Sequence, residues 1–148
     1  MWIITQTERF AGAVAHAGLS NHISFYGTSM YQLLCEFEFG GKPYGDDNKY
    51  AEYWARSPIA HIGEARTTPT LLTHGEMDMD VPITQSEEFF IALRKLHAAV
   101  PSRFVRYPRE SHGLSEPQHV FDWIVRHVDW FDSYVKPGVG KGGSAGKL

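Results

Sequence analysis

One pattern, used twice, constrains the chain more than any other. Pro69 leads into the short apolar run Thr70-Leu71-Leu72-Thr73, followed by a polar loop from His74 to Pro82 and then by Phe89, Leu93 and Leu96 at helical intervals. Arg103 to Tyr107 starts a second unit. Its loop, Pro108-Arg109-Glu110-Ser111-His112-Gly113, precedes a segment in which Val120 or Phe121, Ile124, Val128, Phe131 and Val135 mark the expected buried face of a helix. Thr84 with Glu87 three residues on has capping-box spacing, and Pro117 suits a first helical turn. Strand, helix, strand, helix in this order implies parallel strands joined by a right-handed crossover, so the expected class is α/β with a mostly parallel sheet flanked by helices.

Ala11 to Gly18 is small and apolar enough for a further interior strand, entered from a helix over Trp2 to Thr7. Between it and Pro69 the chain is rich in Tyr, Phe and Gly, with short helices expected near Tyr31–Phe37 and Lys49–Ala55. The segment Lys136–Leu148 has five glycines and three lysines with almost nothing to bury. It reads as a flexible tail (136–148) on a folded unit (1–135).

Fourteen Lys and Arg against 17 Asp and Glu, a net charge of −3, argue against a nucleic acid or an anionic membrane as partner. No apolar run approaches the roughly 20 residues of a membrane span. The opening MWIITQTERF lacks the charged start and small-residue cleavage site of a signal peptide, which favours a cytoplasmic setting. A lone thiol, Cys35, has no partner within the chain and no basic sequence neighbour to activate it, so it reads as a small buried hydrophobe.

In an open parallel sheet the loops at the carboxyl ends of the strands line the reactive crevice. Here those loops carry Glu76, Asp78 and Asp80 on one side and His112 on the other. An Asp from one strand end beside a His from the next is the arrangement in which a carboxylate fixes the imidazole tautomer and frees the other ring nitrogen to act as a base. The acid-before-histidine order matches that of α/β hydrolases. A rival reading joins His74, Glu76, Asp78, Asp80 and His112 as metal ligands, but the spacing is neither an EF-hand loop nor H-E-x-x-H. His74 is expected to hydrogen-bond locally, and His16, His22, His61, His97, His119 and His127 to be structural or superficial.

The strings YWARSPIAHI, TPTLLTHGEMDMDVPITQSEEFFIALRK and RFVRYPRESHGLSEPQH, in this order, resemble the last part of the catalytic domain of the prolyl oligopeptidase family, particularly its acylaminoacyl-peptidase and dipeptidyl-peptidase-like members. The likeness runs from Trp2 to about Val135, and HGEMDMDVP with YPRESHG is its most specific part. It implies the C-terminal portion of an α/β-hydrolase fold, a serine triad acting on short peptides, no cofactor and no metal. Carried over by motif, Asp78 matches the triad aspartate and His112 the triad histidine. Asp80 stands where many members have a substrate-contacting Arg. Tyr53, Trp54 and Val81 are candidates for lining a substrate pocket.

The resemblance also implies an absence. The family's nucleophile sits in a G-x-S-x-G elbow a few residues before the segment matching Trp2, and none of the ten serines lies in such a strand-to-helix turn. Ser111, adjacent to His112, is expected to point away from it, since adjacent residues on an extended loop face different ways. The expected partners are therefore a short peptide, the N-terminal half of the catalytic domain, an upstream β-propeller and possible further copies of the chain. The chain alone is expected to be inactive. The competing reading is a decayed or truncated homologue that serves as a non-catalytic binding or assembly module.

Overall fold

The computed structural model describes residues 1–65 and 68–136. Most of the tail assigned to 136–148 thus lies outside the described residues. Three strands, β1 (Ala13–His16), β2 (Thr70–Gly75) and β3 (Ser102–Tyr107), form a parallel sheet in the order β1-β2-β3. In register, Ala13 to His16 lie beside Thr70 to Thr73, and Thr70 to Gly75 beside Ser102 to Tyr107. The central strand β2 is buried along its whole length, which explains why its sequence reads as a continuous run rather than an alternation.

Side-chain alternation sorts the helices onto two faces. On one face Leu72 packs with Phe89 and Leu93 of α4 (Thr84–Leu96) and with Ile4, Ile62 and Ala65. On the other, Thr73 meets Trp123 of α5 (Pro117–Tyr134), whose Trp130 is buried and donates to the Pro69 carbonyl at 3.3 Å. A second cluster of Phe25, Tyr26, Cys35, Phe39 and Tyr53 is built by α1 (His22–Thr28), α2 (Gln32–Phe39) and α3 (Tyr50–Ala55).

Several expectations need correction. The opening segment is a 3₁₀ turn over Trp2–Thr5, not a helix to Thr7, and β1 covers only Ala13–His16. No side chain caps α4: Ile83 occupies the cap and Thr84 is already helical, while Glu87 is engaged by Arg106 at 2.7 Å. Helix α1 is an addition to the expected elements, capped by Asn21, which accepts from the amides of Ile23 and Ser24. The largest reversal concerns α5. Of its expected buried stripe, Val120 or Phe121 with Ile124, Val128, Phe131 and Val135, only Val120 is half-buried and the rest is exposed, with Phe121 69% accessible. Trp123, His127, Trp130 and Tyr134 take the inner face instead: Trp123 and Trp130 donate to Thr73 Oγ1 and the Pro69 carbonyl of the sheet side, and the rings pack in tilted pairs, Trp123 with His127 and Trp130 with Tyr134.

Candidate active site

The carboxyl ends of all three strands converge, and each brings a histidine or the carboxylate beside it. Asp78 lies in the turn after β2 and is buried. Its Oδ1 accepts from the amides of Asp80 (3.0 Å) and Val81 (2.9 Å), an Asx turn that fixes the carboxylate plane. Its Oδ2 faces two imidazoles, His112 Nδ1 at 2.9 Å and His74 Nε2 at 3.1 Å. An ionised carboxylate only accepts, so both nitrogens carry hydrogens. For His112 this leaves Nε2 with its lone pair free, on a side chain that is 46% exposed. A held imidazole with an outward basic nitrogen can take a proton from a nucleophile and return it to a leaving group.

His74, fully buried, supports this pair. Its Nε2–H also donates to the Val81 carbonyl at 2.7 Å, and Ser86 Oγ of α4 stands 2.7 Å from its Nδ1, where the hydroxyl is the donor. Burial pushes its pKa down, with the Val81 carbonyl and Asp78 opposing, so the ring is a neutral strut.

From the opposite face, Trp123 Nε1 donates to Thr73 Oγ1 at 3.2 Å, which leaves the hydroxyl hydrogen for His16 Nδ1 at 2.9 Å. Burial lowers the His16 pKa, and the His112 backbone close to the ring opposes that shift. Sequence spacing could not have found this link, since His16 and Thr73 are 57 residues apart. A shallow cavity of ≈ 230 Å³ lies against His112, lined also by His16, Gly113, Leu114, Val120 and Trp123. A somewhat larger groove of ≈ 280 Å³ under α5 includes neither Asp78 nor His112.

The two loops approach so closely that only glycine fits at the end of β2. A Cβ on Gly75 would overlap the Ser111 carbonyl oxygen and stand 2.5 Å from that of Glu110. The Met77 amide donates to the Glu110 carbonyl at 2.8 Å, tying the two loops together just before Asp78.

The structure divides the remaining candidates. Of the five suggested metal ligands, Asp78, Asp80 and His112 have ligating atoms within 4.8 Å of one another. Glu76 instead pairs with Arg106 at 2.9 Å, and both ring nitrogens of His74 are engaged. Asp80 accepts from Tyr31 Oη at 3.0 Å and raises the Tyr31 pKa. Tyr53 is wholly buried, stacked on Phe39 and donating to the Gly41 carbonyl, so in this structure it packs the core. Trp54 is exposed and Val81 half-buried.

Among the described residues the serine hydroxyls that make hydrogen bonds turn to other partners: Ser20 and Ser24 to Glu88, Ser29 to the Tyr31 amide, Ser57 to the Tyr53 carbonyl, Ser86 to His74, Ser115 to Glu110 and Ser133 to the Asp129 carbonyl. Ser144, within Gly142-Gly143-Ser144-Ala145-Gly146, lies outside the described residues and follows both Asp78 and His112, whereas the nucleophile comes first in the α/β-hydrolase order.

Comparison with known proteins adds an independent finding. The model of the prolyl oligopeptidase family matches residues 1–138. The chain is 36% identical over 138 residues to the uncharacterized peptidase YuxL of Bacillus subtilis, covering 90% of this chain and 20% of the relative. It is 32% identical over 133 residues to the acylamino-acid-releasing enzyme of Mus musculus, covering 86% of this chain and 18% of that protein. Among solved structures, the acylaminoacyl peptidase of Pyrococcus horikoshii superposes with a TM-score of 0.81 at 24% identity, over 97% of this chain and 23% of that one. The chain thus spans about a fifth of the length of the curated relatives it matches. The superposition shows an α/β-hydrolase fold.

Proposed function

Because this chain belongs to the prolyl oligopeptidase family of serine peptidases, we propose that it supplies the acid and base of a Ser–His–Asp triad that hydrolyses peptide bonds in short peptides. The observation that carries the reading is the 2.9 Å bond from His112 Nδ1 to the buried Asp78, with His112 Nε2 left open. In the complete enzyme His112 takes the proton of a serine hydroxyl as it attacks the scissile carbonyl, then delivers it to the leaving amine. Water activated by the same ring releases the acyl group, and Asp78 stabilises the imidazolium at each stage.

By itself the chain is expected to turn over no peptide, since no described serine stands in a strand-to-helix G-x-S-x-G turn. Loss of a triad nucleophile costs on the order of a million-fold in turnover. The N-terminal half of the catalytic domain and a β-propeller are the partners this reading requires. Support for a second reading, a non-catalytic assembly module that could also self-associate, comes from the exposed apolar stripe on α5.

A chimera decides between the two. Residues 1–136 replace the structurally matched segment of the Pyrococcus horikoshii acylaminoacyl peptidase, and hydrolysis of an acyl-peptide is measured. The triad reading expects activity that His112→Ala abolishes and Asp78→Asn lowers on the order of 10⁴-fold. A folded chimera indifferent to both substitutions favours the assembly module. The unfused chain should neither hydrolyse the substrate nor react with a fluorophosphonate.

A further inference from the structure

Glu110, two residues before His112 and 1% exposed, is a buried charge that the triad does not use. Its Oε1 accepts from the Glu116 amide (2.8 Å) and His119 Nδ1 (2.9 Å), and its Oε2 from the Ser115 amide (2.8 Å) and Ser115 Oγ (3.0 Å). All four donors come from beyond His112 in the chain, so the carboxylate closes residues 110–116 into a ring that carries the histidine. The amides of Ser115 and Glu116 stand at the positive end of α5, where a carboxylate is favoured. Its main-chain carbonyl holds Met77, the residue before Asp78. One residue thus fastens the histidine loop to α5 through its side chain and to the aspartate loop through its backbone.

We propose that Glu110 is a positioning residue of the acid–base pair, acting through His112: its carboxylate holds the loop at the height where Nδ1 meets Asp78. This rests on the reading of Asp78 and His112 as that pair. A carboxylate suits the place because four donors converge on two oxygens. Glutamine offers one acceptor oxygen and sets an amide N–H against Ser115 or His119. Burial alone would raise the Glu110 pKa, but the Glu116 and Ser115 amides, the His119 ring and the Ser115 hydroxyl hold it down to about 2.

The test uses the full chain, with the His112 tautomer read from two-bond ¹H–¹⁵N correlations of its non-exchanging ring protons above the histidine titration range. In the parent chain His112 is expected to be held as the Nδ1–H form. In Glu110→Gln the Nε2–H form should gain about tenfold relative to Nδ1–H, the factor that loss of one charge-assisted hydrogen bond provides. Backbone amides of β2 should stay unshifted.

A carboxylate that only stabilised α5 would lower the melting temperature and leave the tautomer of the folded protein alone, and that result overturns the proposal. Should Glu110→Gln not fold, the double variant Ser115→Ala, His119→Phe removes two of the four donors while keeping the charge. It should move the tautomer in the same direction, and an unchanged ratio there is equally decisive against. If the parent chain itself lacks the Nδ1–H form, the pairing of Asp78 with His112 fails first.

Discussion

Asp78 Oδ2 serves two imidazoles, and their environments assign them different tasks. His74 has no exposed surface and both its nitrogens are satisfied, so it holds the carboxylate; His112 is half-exposed and has one nitrogen to spare. Replacing His74 by Phe leaves the Val81 carbonyl and the Ser86 hydroxyl without this partner. We expect a loss of about 1–3 kcal/mol in denaturant unfolding and a fall in kcat rather than a rise in KM in the chimera. Gly75 and Gly113 form a matched pair of tests. A methyl at Gly75 meets the Ser111 and Glu110 carbonyls, whereas nothing lies within 4 Å of a Cβ at Gly113. Gly75→Ala should cost about 1–3 kcal/mol and disturb the His112 tautomer, while Gly113→Ala should do neither, as urea unfolding and NMR can show.

Helix α5 carries two interleaved stripes, and only one of them seals the sheet. Trp130→Ala is expected to cost about 3–5 kcal/mol by opening a cavity beneath the helix. The double change Phe121→Lys, Val128→Lys, on the exposed stripe, should stay within about 0.5 kcal/mol of the parent and reduce self-association in light scattering. This is also where the limit of sequence reading lies. The 3.6-residue period shows that an apolar stripe exists at 121, 124, 128 and 131, but not which surface covers it, and the sheet selected the rings at 123, 127, 130 and 134. The central strand was legible because a fully buried parallel strand is a continuous run of residues that tolerate burial. That Asp78 and His112 lie side by side was legible because both follow strand ends of one parallel sheet. The Thr73–His16 relay and the Glu110 ring were not, since each exists only once distant backbone segments have closed on one another.

At the scale of the whole molecule, acid works against this fold in two stages. Burial lowers the pKa values of His16, His22 and His74 below the ordinary 6.5, so the unfolded chain takes up protons that the folded one refuses. Stability should therefore begin to fall as pH drops below 6.5. Glu110, held down to about 2, with Glu116 beside Arg109 and Asp122 beside Arg126, contributes stability above the ordinary carboxylate range that is lost as pH falls further. Urea midpoints at pH 7.5, 6, 5 and 3.5 should decline in these two steps; a midpoint unchanged between 7.5 and 5 would contradict the first. Finally, the parallel register has a temporal consequence. β2, α4 and β3 are neighbours along the chain, whereas β1 reaches β2 only by closing a loop from His16 to Thr73. Short loops close sooner than long ones. In refolding, amides of β2 and β3 should gain protection before those of β1, so the pairing of aspartate and histidine arises in the early half of the sheet and its brace from His16 arrives last.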